Sequence, residues 1–180
     1  MITKAFKGVL ALLLQYNTTT YKGVIKIKNT QNQDRYLMNF IGSSSYYPYS
    51  ASYTMSFGAN QASSGVYIGT GDTAVTEDDY KLASVITSGI SAGSPAVTFA
   101  LDGSGNPYLE LVYALTNTTS SDITVKEIGF VQYLRASSTL NSTSSTSTYA
   151  LLDRTVLSTP VTVPANDSAA IKYTLKTIIS

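Results

Sequence analysis

A serine nucleophile in this sequence could be activated by lysine but not by histidine, and no thiolate is available, because the chain contains no histidine and no cysteine. Hydroxyl side chains are abundant: serine and threonine together fill 48 of the 180 positions. A Ser-His-Asp triad, a thiolate nucleophile and a zinc site of nitrogen and sulfur ligands are all excluded by composition. Nothing marks one serine out as reactive, since neither S-x-x-K nor G-x-S-x-G occurs. We therefore expect no catalytic residue and no enzyme.

Two further clusters could carry chemistry. Gly69-Thr70-Gly71-Asp72 has the glycines of a phosphate loop but lacks the Lys-Ser/Thr that should follow. It reads instead as a strand-ending turn whose glycines take positive φ. Glu77-Asp78-Asp79 is an acidic cluster without the spacing or the glycine of an EF-hand. We expect the solvated start of a single helical turn capped by Thr76, with Asp79 and Tyr80 pinning the segment to the rest of the fold. No cofactor and no metal follow from these residues.

Tyrosine is the notable surplus, at 14 residues with no tryptophan. Tyr46, Tyr47, Tyr49 and Tyr53 fall close together among serines around Pro48. Tyrosine with serine makes an adaptable contact surface at low entropic cost. These four residues are candidate interface residues, either in a sugar- or protein-binding loop or in a long loop packed between subunits or within its own chain. The formal net charge of +1 gives no field to draw in nucleic acid or an anionic membrane, and neither partner is expected.

These residues need elements to position them, and the pattern after residue 20 is of period two. Val24-Ile25-Lys26-Ile27-Lys28 alternates apolar with basic, and Tyr36 to Ile41 continues in kind. Thr54 to Phe57, Val66 to Gly69, Pro95 to Leu101, Pro107 to Thr116 and Ile123 to Leu134 also read as strands. So do Ala150 to Leu157, Val161 to Val163 and Ala169 to Ile178. Asp102-Gly103-Ser104-Gly105-Asn106 is a hairpin turn. Short strands at this spacing imply an all-β, antiparallel β-sandwich of jelly-roll or Greek-key type. A single domain over residues 21–180 is expected, with long Ser/Tyr and Ser/Thr loops at 43–53 and 137–149.

Residues 1–20 stand apart as a short helix or arm. Lys4 and Lys7 precede an apolar run, Val9 to Leu14, that is too short for a secretory h-region and too short to span a bilayer. Phe6, Val9, Leu10 and Leu13 are its candidate interface residues, docking on a neighbouring subunit.

Three segments in order resemble a β-sandwich module of tailed-bacteriophage virion proteins: Ile68 to Leu82 (IGTGDTAVTEDDYKL), Thr116 to Phe130 (TNTTSSDITVKEIGF), and Leu151 to Ser168 (LLDRTVLSTPVTVPANDS), which runs on into Ile171 to Lys176. The likeness covers roughly residues 65 to 178, and a phage of gut bacteria such as the crAss-like group is the source it implies. It implies a viral structural protein of the virion: a capsid decoration, head fibre, collar or tail component assembled in the host cytoplasm. Its implied partners are its own copies, as a homo-oligomer, and other virion proteins. The alternative is a carbohydrate- or receptor-binding adhesin, with a glycan or host-surface receptor as partner. Within the likeness, Glu127 lies in a core-like strand and Arg154 in LLDRTVL. A structural ion pair between Glu127 and Arg154 is expected to bridge strands, with Arg35 as the substitute cation.

Overall fold

The computed structural model describes residue 3 and residues 24–38, 53–136, 138 and 146–176. Within them the chain is all-β, and every strand pairing is antiparallel. The strands are β1 (Val24–Lys28), β2 (Asp34–Met38), β3 (Gly65–Gly69), β4 (Ile90–Ala92), β5 (Ala96–Leu101), β6 (Pro107–Asn117), β7 (Ile123–Ala136), β8 (Thr146–Val163) and β9 (Ser168–Lys176).

β1 and β2 form a hairpin, β3-β7-β8 a three-stranded sheet, and β4, β5, β6 and β9 a second sheet in which β6 is central. β4 and β5 lie end to end along one edge of β6, while β9 takes the other edge. Gly93-Ser94-Pro95 separates β4 from β5, and a proline cannot donate to a ladder, so the edge strand breaks there.

The alternation along β6 shows why these segments are strands. Leu111, Tyr113 and Leu115 are buried, and their β9 partners Tyr173, Ile171 and Ala169 share that face. Lys172 and Glu110 take the opposite face and pair at 2.9 Å. Val66 and Ile68 of β3, Ile128 and Phe130 of β7 and Leu152 of β8 join the same apolar core, so both sheets contribute to it. Burying side chains of this kind contributes roughly 1.5–3 kcal/mol each.

Local chemistry closes the hairpins. Asp102 Oδ1 accepts from the amides of Ser104 (2.8 Å) and Asn106 (2.9 Å), and Gly105 takes φ 80°. Asn29 Oδ1 does the same for Gln31 (3.1 Å) and Gln33 (2.8 Å) in the β1–β2 turn. An Asx side chain that satisfies turn amides is the physical reason both sites are turns.

Several expected boundaries differ. Thr54 to Phe57 is not a strand; Met55 makes one isolated parallel bridge to Val66. Thr76 to Leu82 contains a turn and no helix. The Ser/Thr loop expected at 137–149 ends earlier, because β8 begins at Thr146. β-branched threonine suits a strand, and Thr148 is buried with its hydroxyl 3.1 Å from Asn29 Nδ2. The two strands expected at 150–157 and 161–163 are one strand with an irregularity between them.

Candidate functional site

Two register breaks in β7–β8 set the geometry of the site. Between Val125 and Glu127 the pairing skips, so Val125 and Ile128, three residues apart, both enter the main core. Glu127 is thereby turned to the other face of the sheet. Between Phe130 and Val131 the pairing skips again, at Leu152 on β8. Leu152 enters the main core, while Leu151 joins Tyr67, Leu82 and Val131 in a second, smaller core. Irregularities of this kind re-aim side chains.

Glu127 and Arg154 therefore meet on the sheet face that carries the second core. Arg154 Nε donates to Glu127 Oε2 at 2.8 Å, with side-chain exposures of 2% and 0%. Nη1 donates to Asp79 Oδ2 at 2.8 Å. Nη2 donates to the Thr73 carbonyl at 3.2 Å and to Thr73 Oγ1 at 3.1 Å. Glu127 receives three further bonds from backbone amides: Gly71 (3.2 Å) and Ser84 (2.7 Å) to Oε1, and Ala83 (3.1 Å) to Oε2. Asp79 receives the Thr76 amide at 3.1 Å and the Thr76 hydroxyl at 2.9 Å.

The segment from Thr70 to Ile86 thus crosses the sheet and is held at both ends. Thr70 donates to the Ser84 carbonyl at 2.8 Å and Ile86 to the Ile68 carbonyl at 2.9 Å, while Leu82 fills the second core. This strap is why all five residues of β3 are buried. Burial opposes the charge on Arg154, but its hydrogen bonds to Asp79 and Glu127 outweigh that and raise its pKa further. For Asp79, burial pushes the carboxyl up, and the bonds from Arg154 and Thr76 win, leaving it below its usual value.

The glycines of the strap act by close approach. A Cβ on Gly71 would sit 2.5 Å from Glu127 Oε1, and one on Gly69 would sit 2.4 Å from the Ser84 carbonyl. Neither glycine has the positive φ expected of a strand-ending turn; the limit is space for the carboxylate. Gly129, opposite Arg154 in the register, has Leu82 Cδ1 only 2.6 Å from where its Cβ would be.

Asp79 pins the strap as expected, whereas the anticipated helix start is a turn closed by its own carboxylate. Arg35 is not the cation of this site; its guanidinium donates to the Asp34 carbonyl at 3.0 Å within β2. Tyr53 packs within its own chain, stacked on Phe130 with centroids 6.2 Å apart, and its carbonyl accepts from the Tyr113 hydroxyl. Tyr67, Tyr113 and Tyr173 are core residues, and the Tyr173 hydroxyl donates to Asp153 Oδ2 at 2.5 Å. Phe6, Val9, Leu10, Leu13, Tyr46, Tyr47 and Tyr49 lie outside the described residues. Thr3 is buried against β8 of its own chain, donating from its amide to the Leu152 carbonyl at 3.1 Å.

Sequence reasoning placed Glu127 and Arg154 together but did not include Thr73, Ala83 or Ser84, which contribute mainly through backbone atoms. Backbone donors leave no residue signature. Among the described residues no group of three or more acidic side chains could hold a metal ion. Chemically the arrangement is a clamp: an arginine does not release its proton near neutral pH, and every nitrogen of this guanidinium donates to the strap or to Glu127. No protein-family model, curated protein or solved structure matches the chain.

Proposed function

We propose that this chain is a non-enzymatic structural component of a phage virion, acting through oligomerisation and docking to other virion proteins. The observation that carries this reading is the convergence of the three segments that resemble the virion module. Gly71, Asp79 and Leu82 come from the first, Glu127 and Gly129 from the second, and Leu151 and Arg154 from the third. All of them meet at the clamp or in the small core beneath it. The residues that carry the likeness are thus tied together by packing and hydrogen bonding, as expected for a module kept for its shape.

On this reading the two sheets face each other as a β-sandwich of jelly-roll or Greek-key type. Support comes from the shared core, in which Val66, Ile128 and Leu152 of one sheet pack with Leu111, Tyr113 and Ile171 of the other. Capsid decoration, head fibre, collar and tail roles are all compatible with such a module.

The test is mass spectrometry of density-purified particles from the bacterial culture that carries the gene. Peptides of this chain at a fixed stoichiometry to the major capsid protein are the expected result. Absence from intact particles would overturn the assignment. Specific binding on a glycan array by a chain missing from particles would replace it with the adhesin reading.

A further inference from the structure

Among the described residues the second sheet ends at β5 as an edge strand. β5 (AVTFAL) pairs with β6 along one side, and among the described residues no strand pairs with its other side. Natural edge strands are usually guarded by lysine, proline or a bulge, and β5 carries no charge and no proline within its span. Val97, Phe99 and Leu101 pair with Leu111, Leu109 and Pro107, so they lie on the face that Leu111 turns to the core. Yet these three are 42%, 69% and 67% exposed, and they are the exposed large hydrophobic residues of the described chain. The apolar face of the sheet therefore continues past the core onto β5, where Phe99 meets the edge of the Tyr53 ring at 6.5 Å between centroids and the three side chains stay largely exposed.

We propose that β5 is a homodimerisation edge, occupied by β5 of a second copy in antiparallel, two-fold pairing. A two-fold axis normal to the sheet keeps both core-side faces on the same side. Centred on Phe99, it sets Val97 opposite Leu101 of the other copy and Phe99 opposite its own counterpart. Thr98 and Ala100 meet on the other face, so small residues oppose small ones there. The strand is self-complementary in this arrangement and places no like charges opposite each other. Being uncharged, it also offers no pattern by which a different protein's strand would be selected over another. One strand's ladder and three apolar side chains per copy bury less than the roughly 1,600 Å² of a standard interface. The dimer is accordingly weak and concentration-dependent, and the high local concentration of copies in an assembly strengthens it.

This inference rests on the reading of the chain as an assembling component, and the experiment separates the two. Purified full-length chain is examined by sedimentation velocity from about 1 µM to several hundred µM, a range that brackets weak association. The expected mass rises from 19.2 kDa towards twice that value, and F99K and L101K each stay monomeric with an unchanged thermal midpoint. Because the chain has no cysteine, single-cysteine variants report the pairing directly. F99C, which faces its own counterpart across the two-fold axis, should form disulfide-linked dimers at least tenfold faster than G103C in the neighbouring turn. A wild-type chain that stays monomeric throughout, undiminished association of both lysine variants, or equal cross-linking at Gly103 would overturn the pairing. A monomer that still co-purifies with particles removes the edge pairing and leaves the virion reading standing. A β5-linked dimer in a chain never found in particles does the reverse.

Discussion

Two clusters of charge in this molecule have the same contact distances and opposite surroundings. Arg154 meets Glu127 and Asp79 at 2.8 Å each beneath the strap. Asp34 meets Lys26 and Lys28 at 2.8 Å each on the β1–β2 hairpin, where all three side chains are more than a third exposed. Water and salt screen the second cluster, so its ion pairs contribute little. In the first, Arg154 and Glu127 have given up their hydration and Asp79 most of it, and stability depends on every charge having its partners. Glu127 has four hydrogen bonds for that reason: the arginine and three backbone amides. Distance alone thus says little about an ion pair; the number of groups committed to it and their burial decide its effect.

The largest expected effect tests the buried side. R154A leaves the fully buried Glu127 side chain without its partner, and should destabilise the fold by about 3–5 kcal/mol. Chemical denaturation measures this directly, and a loss under 1 kcal/mol would mean that water reaches the site. Next is G129A, whose new methyl group meets Leu82. Overpacking of this kind costs about 1–3 kcal/mol, and in a double-mutant cycle with L82A the combined loss should fall short of the sum of the two single losses if the side chains collide.

D79N should be milder, about 1 kcal/mol near neutral pH, because asparagine can still accept from the guanidinium. Its pH dependence is the sharper readout. The Asp79 carboxyl is held below its usual value in the fold, so its contribution is present above the unfolded carboxylate pKa of about 4 and fades as pH falls below it. The difference in thermal midpoint between wild type and D79N should therefore be constant from pH 5 to 8 and shrink below about pH 4. A difference unchanged at pH 3 would remove Asp79 from the clamp. The smallest effect is expected for D34A, whose midpoint should match wild type within error in 1 M salt. A large loss there would erase the contrast between the two clusters.

Much of the fold was legible in the chain because the alternation is strict where one sheet face is buried. β6 and β9 follow it closely, and Asp102 to Asn106 announces its turn through an Asx side chain that satisfies the turn amides. β3 was read within one residue of its bounds as an apolar run, although five buried residues in a row show no period when a strap covers the second face. β4 is three residues long and has no pattern of its own; its place is set by the end of β6. Of the clustered tyrosines read as an interface, Tyr53 packs within its own chain; Tyr113 and Tyr173, not singled out from the sequence, are interior. Their hydroxyls find the Tyr53 carbonyl and Asp153, partners remote in sequence. Burial raises the Tyr173 phenol well above its usual value, with the Asp153 charge adding to the effect.

The sequence by itself determined the strand-forming pattern, the Asx-closed turns, the chemistries that lack residues to perform them, and the pairing of one conspicuous carboxylate with one conspicuous guanidinium. Only the tertiary structure decided which face Glu127 occupies, because the register breaks that turn it depend on how β7 and β8 meet. It alone decided that Asp79 and the Gly71, Ala83 and Ser84 amides complete the clamp. Those groups are brought together by a strap whose path is set by packing Leu82 over Gly129, and such long-range packing leaves no local trace in the order of residues.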